Sequence, residues 1–184
     1  MNDLKKRTMK GSLDLLVPVL VTGSVIVVSM LFAGISPFGD HVLLFDDAAI
    51  PYVGFFGWFS NVLHGEADLF YSFSKALGGG TLSLYAYYLA SPLNLLAFFF
   101  TPETMPLFFS ILIPLKLILA SLMCYIYLRF RFQRKGVPFA LIASAYALAA
   151  CNLDAGACVM WLDGLVMLPI VCMGVRKLVL RGES

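Results

Sequence analysis

Charge is what this chain has least of. Charged residues make up 13% of its 184 residues and hydrophobic residues 60%, whereas a soluble domain carries about 25% charged and about 45–50% apolar residues. That shortage excludes an ordinary soluble globular protein. A basic excess is missing too: 13 Lys and Arg stand against 11 Asp and Glu, a net charge of +2. This is too balanced for the basic face that a nucleic-acid binder needs, so no nucleic-acid partner is expected. The four cysteines lack metal-ligand spacing, which argues against a disulfide framework or a zinc site. His41 and His64 are lone histidines, and no Walker-type loop is present, so ATP-driven transport by this chain is unsupported.

What the chain does have is long apolar runs. Leu13 to Ile35 follows Lys5, Lys6, Arg7 and Lys10 and exceeds the roughly 20 residues that cross a bilayer. A cleaved signal peptide would have a shorter apolar region of about 7–15 residues before a small-residue site. Further runs are Pro106 to Leu128, Pro138 to about Leu153, and Leu162 to Leu180, with a weaker, proline-broken run from Leu82 to Phe100. Eleven of the 13 basic residues fall in three clusters: Lys5 to Lys10; Arg129, Arg131, Arg134 and Lys135; and Arg176, Lys177 and Arg181. Basic clusters mark the cytoplasmic side. All three share that side only if Leu82 to Phe100 does not cross.

The expected architecture is therefore an all-α integral membrane protein with both termini cytoplasmic. Residues 1–12 form a basic cytoplasmic N-terminus, and 13–184 form one membrane domain. Within it, transmembrane helices cover 13–35, 106–128, 138–153 and 162–180, and 36–105 form a long outer segment with interfacial and re-entrant helices. Ile50 to Leu63 mixes Phe55, Phe56, Trp58 and Phe59 with Asn61 and His64, as an interfacial helix does. Tyr85, Tyr87 and Tyr88 have the character of an aromatic belt, and Pro92 breaks the helix that would continue through them. Backbone freed by such a break needs protein or a water-filled cavity around it, so a cavity is expected on the outer face.

Candidate chemistry lies on that same side. Asp46-Asp47 reads three ways: as a helix N-cap, as hard oxygen donors for a divalent metal such as magnesium or manganese, or as a general base for an attacking hydroxyl. Asp163, in Met160-Trp161-Leu162-Asp163, and Asp154 share the outer boundary; each reads equally well as an N-cap or as part of a substrate or metal site. Lys116 lies deep in an apolar run and must pair, snorkel or line a cavity; it is a candidate for holding a phosphate or neutralising a carboxylate. Gly78-Gly79-Gly80 allows close backbone approach to a ligand. Cys151 and Cys158, both outer, are a possible bridge, whereas Cys124 and Cys172 read as packing residues.

The string Asp68-Leu69-Phe70-Tyr71-Ser72-Phe73-Ser74, then Leu77-Gly78-Gly79 and Leu84-Tyr85-Ala86-Tyr87-Tyr88-Leu89-Ala90-Ser91-Pro92-Leu93-Asn94-Leu95-Leu96, resembles the start of the bacterial YfhO family of polytopic membrane proteins. Leu115-Lys116, Leu119-Ala120, Tyr146-Ala147-Leu148, Met160-Trp161-Leu162-Asp163 and Leu168-Pro169 continue the resemblance in order. It implies a GT-C-like glycosyltransferase that moves a sugar from a polyprenyl-phosphate carrier to an extracytoplasmic cell-envelope polymer such as lipoteichoic acid. By resemblance, Asp47 and Asp163 are the catalytic carboxylates. Asp46, Lys116, Tyr87 and Tyr88 are expected substrate contacts; Lys116 matches the family's intramembrane lysine, and its expected role toward the carrier phosphate goes beyond the resemblance. Pro51 before Tyr52 and Cys158 before Met-Trp-Leu-Asp depart from the family pattern of Gln and Asn. Family members are several times longer, so the chain reads as an N-terminal piece with weak or absent activity alone. A non-catalytic membrane subunit or remnant is the alternative; a transporter component is a third, with no inverted repeat to support it.

Overall fold

The computed structural model describes residues 14–45, 49–75 and 77–182, and it is mostly helical. In chain order the α-helices are α1 (Leu16–Phe32), α2 (Pro51–Leu63), α3 (Leu82–Leu84), α4 (Met105–Phe132), α5 (Val137–Ala147), α6 (Ala150–Asp154) and α7 (Trp161–Gly182). A two-stranded antiparallel hairpin pairs β1 (Tyr71–Ser72) with β2 (Gly79–Gly80), Tyr71 facing Gly80. The chain divides into two compact units. One comprises Met1–Ser29, Pro114–Ala155 and Leu162–Ser184; the other comprises Met30–Ile113 and Gly156–Trp161.

Helix boundaries follow local chemistry. α1 stops before the apolar run does because Gly34, at φ +61°, closes it. The Gly34 amide bonds Leu31 O and the Ile35 amide bonds Met30 O, which satisfies carbonyls that the helix end would otherwise leave unpaired. α2 starts with Pro51 in its first turn, where the missing N–H is harmless. Thr101 and Thr104 cap the entry to α4, the Thr101 amide donating to Thr104 Oγ1 at 2.9 Å. Gln133 at φ +53° and Gly136 at φ +119° turn the chain between α4 and α5.

Pro102–Phe132, 31 residues, is the one helix among the described residues long and apolar enough to cross a membrane. The other expected crossings form shorter or more charged helices. α1 has 17 residues, and α5 has 11, about 17 Å at 1.5 Å per residue. The run from Pro138 to Leu153 is interrupted at Leu148-Ala149, with α6 beyond. The run from Leu82 to Phe100 is broken as Pro92 requires: Leu82–Leu89 and Pro92–Phe99 meet at a bend of 103°.

In the first unit, Cys124, Tyr125, Ala140 and Ala143 are buried among Leu15, Val17, Leu128, Phe139 and Tyr146. Ala140, Ala143, Ser144 and Ala147 are the buried residues of α5. This stripe of small side chains lets helix backbones approach closely. Three hydroxyls join the helices there: Thr22 Oγ1 of α1 lies 2.8 Å from Ser121 Oγ of α4 and 2.9 Å from Ser144 Oγ of α5. Ser144 Oγ also bonds Ala140 O at 2.9 Å. Each hydroxyl has one proton, so the bonds order as a chain, Ser121 to Thr22 to Ser144 to Ala140 O.

The directions of the helices in this unit follow from paired contacts. Lys116 of α4 meets Asp163 of α7, and the Lys177 ammonium of α7 lies over the Phe130 ring of α4. Both contacts carry the same sequence offset, so α4 and α7 run parallel, in register. Lys135 Nζ lies 2.6 Å from Asp14 Oδ2, which sets the start of α1 beside the end of α4.

In the second unit, α2 packs one side against the rest of the unit. Tyr52, Phe56 and Phe59 are buried, Phe56 against Phe108 and Phe109 with ring centroids 5.4 and 5.1 Å apart. Ser60 Oγ donates to Phe100 O at 2.6 Å. Of the aromatic group on α2, Phe56 and Phe59 are buried in this unit and Phe55 and Trp58 are half-buried.

Candidate functional site

Lys116 and Asp163, singled out separately in the sequence, form an ion pair. Lys116 Nζ lies 2.8 Å from Asp163 Oδ2; the lysine side chain is 0% exposed and the aspartate 33%. The pairing lets α4 carry the ammonium within an apolar run, where an isolated charge would be strongly unfavourable. Asp163 stands in the first turn of α7, where the helix dipole favours negative charge. It does not occupy the N-cap position. The pair's geometry is a charge-assisted hydrogen bond whose carboxylate end is the more open one.

The turn that carries Asp163 is held from a second side. Pro169 lies inside α7 and lacks an N–H, so the Leu165 carbonyl, four residues earlier, has no helical donor. Tyr146 of α5 fills that position: its hydroxyl donates to Leu165 O at 2.8 Å. Asn152 Nδ2 in turn donates to Tyr146 O at 2.6 Å. Tyr146 and Pro169 are thus complementary, a relation the sequence contains only as two separate residues.

The tyrosines lie in the second unit. Tyr87 is exposed and Tyr88 half-buried, their rings edge-on with centroids 4.7 Å apart. Tyr88 also meets Tyr52 at 5.3 Å and Phe55 at 5.1 Å, and Tyr52 Oη approaches Met160 Sδ at 3.7 Å. Tyr52, noted in the sequence only for the proline before it, is buried at the centre of this cluster. The bend that presents Tyr87 and Tyr88 depends on Asn94, fully buried, whose Nδ2 donates to Leu89 O at 3.1 Å. The Ser91 amide donates to the same carbonyl at 2.7 Å, so the acceptor freed where the helix breaks is satisfied.

Asp46 and Asp47 lie outside the described residues. Asp154 ends α6 and is exposed. The four cysteines are not joined in disulfides, so the Cys151–Cys158 bridge is not formed. Among the described residues no three His, Cys, Asp or Glu side chains gather as a metal site.

No curated protein and no solved structure matches the chain. The family described as bacterial membrane protein YfhO matches residues 19–184, which include the Lys116–Asp163 pair, the Tyr146–Pro169 complement and the broken helix at Ser91-Pro92. The chain belongs to the YfhO family of bacterial membrane proteins.

Proposed function

We propose that the chain serves as part of a multi-pass membrane glycosyltransferase that transfers a sugar from a polyprenyl-phosphate carrier to an extracytoplasmic cell-envelope polymer such as lipoteichoic acid. Asp47 is the general base: it accepts the proton of an acceptor hydroxyl as that oxygen bonds to the sugar's anomeric carbon, and the carrier phosphate departs with the bonding pair. Asp46 assists in substrate binding, and Tyr87 and Tyr88 offer ring faces to the glycan. Lys116 acts through Asp163, fixing its carboxylate by the ion pair so that it is positioned toward the sugar; a carrier phosphate reaching Lys116 would compete with that carboxylate. Asp46 and Asp47 are oxygen donors suited to a divalent metal.

The observation that carries this reading is the ion pair itself. A charged pair inside apolar helices is a functional-site candidate by default, and family membership fits the implied reaction. The parallel course of α4 and α7 agrees with the four-crossing arrangement, in which both run inward. Fourteen residues at 1.5 Å each separate the pair from the Lys177–Phe130 contact by about 21 Å, toward the end of the helices opposite the basic clusters. The broken run fits a re-entrant element. Each eight-residue limb is about 12–16 Å long, shorter than a crossing of roughly 30 Å, and the 103° bend between them supports the re-entrant reading over a broken span.

Asp47→Ala in the intact cellular protein is expected to abolish glycan modification with protein abundance unchanged. Unchanged modification would remove Asp47 from the mechanism. The mutual neutralisation of Lys116 and Asp163 also suits a non-catalytic membrane subunit. That reading wins if Asp47→Ala and Asp163→Asn both leave the glycan modified while only Asp163→Asn lowers abundance.

A further inference from the structure

Within the second unit, α2 and the β1–β2 hairpin line a half-open cavity of about 660 Å³, with Leu84 and Pro102 also in its wall. This volume lies in the range of about 300–1,000 Å³ typical of small-molecule sites. None of its lining residues has a role in the reaction proposed above. Phe55 and Trp58 supply aromatic wall, while Asn61, Ser74 and Lys75 bring polar groups to the same space. Lys75 Nζ donates to Gly80 O, and an ammonium has three donors, so two remain for a ligand. Trp58 Nε1 is covered and has no acceptor among the described residues.

The balance of these groups selects among ligands. An acyl chain would strand Lys75 and Asn61 against hydrocarbon, an unfavourable arrangement. A free phosphate would find a single cation, with Glu66 and Asp68 flanking Ala67 in the lining. A neutral polyol with one apolar face satisfies both kinds of wall: its C–H face lies on an aromatic ring and its hydroxyls reach the amide, hydroxyl and ammonium. We propose that the cavity is a saccharide subsite that holds one neutral pyranose unit. Its assignment to the acceptor glycan rests on the glycosyltransferase reading; the site itself rests on its lining.

Gly54 supplies the test. It lies within α2 and lines the cavity, and a Cβ built there meets nothing within 4 Å. Gly54→Phe therefore fills the space while removing a residue unfavourable to helices. The chain has two tryptophans, so Trp161→Phe leaves Trp58 as its sole indole emitter. In detergent, methyl β-D-glucopyranoside or N-acetylglucosamine is expected to change Trp58 emission saturably. Gly54→Phe should remove the response with the helical circular dichroism signal retained, and Lys75→Gln should weaken binding about tenfold, the effect of one modest hydrogen bond. No saturable response, a response unaltered in both variants, or saturation by oleate or glycerol phosphate but not by pyranosides overturns the proposal. Saturable sugar binding in a protein that transfers no sugar supports the subsite and overturns the enzyme reading. Sugar transfer without a Trp58 response overturns the subsite alone.

Discussion

An ammonium with no exposed surface has two ways to remain charged: a carboxylate beside it or a path to water. Lys116 has the carboxylate, 2.8 Å away. Removing one partner from such a pair strands the other, at a cost of about 3–5 kcal/mol, whereas replacing both with apolar side chains is often near neutral. Lys116→Met and Asp163→Asn should therefore each destabilise the chain, with Asp163→Asn the larger because it leaves a buried cation. The double variant Lys116→Met/Asp163→Leu should recover most of the loss. Unfolding in mixed micelles measures all three; a double variant as unstable as the sum of the singles would show that the residues do not act as a pair. Lys116 was legible in the sequence as a residue that must pair or face water. Asp163 was legible as a separate acid, but the bond between them, across 47 positions, was not, because pairing across that distance depends on how α4 and α7 pack.

At the scale of elements, proline in a helix raises the question of where the freed carbonyl goes. In α7 the answer is the Tyr146 hydroxyl, and the consequence is a testable coupling. Tyr146→Phe should cost about 1 kcal/mol, or somewhat more, because it leaves Leu165 O unpaired in the helix packing. Pro169→Ala restores the helical N–H, so Tyr146→Phe should cost clearly less in that background. Equal costs in both backgrounds, read by the same unfolding titration, would disprove the complement. Asn94 shows the same logic at the broken helix, where its amide and the Ser91 N–H both reach Leu89 O. The break at Pro92 could be anticipated from the proline alone. Its repair by a buried amide two residues later could not, since asparagine in a sequence reads as readily as a turn residue.

For the whole molecule, the equal spacing of Lys116–Asp163 and Phe130–Lys177 makes α4 and α7 parallel, and the proposed four-crossing arrangement then has both running inward. Single cysteines at Glu103 and Gln133 in a cysteine-free background, labelled from either side, are expected to place Glu103 outside and Gln133 inside. The reverse result would mean that the Leu82–Phe100 run crosses, and would set Asp163 on the face opposite Asp47.

The sequence by itself determined the class and the ends of things. Its scarcity of charge and its long apolar runs pointed to a membrane protein, its ordered motifs pointed to the family, and its basic clusters supplied an expected order of sides for labelling to test. Pro92 marked where a helix breaks, because that constraint acts within a few residues of its cause, whereas Pro169 stands inside an unbroken helix. Tertiary structure alone decided which polar groups meet. It joined Lys116 to Asp163 and Tyr146 to Leu165, gathered the hydroxyls of Thr22, Ser121 and Ser144, and buried Phe56 and Phe59 of α2. Those choices depend on helix register and facing, which packing sets between residues far apart in the chain, and an apolar composition common to all the helices leaves register open.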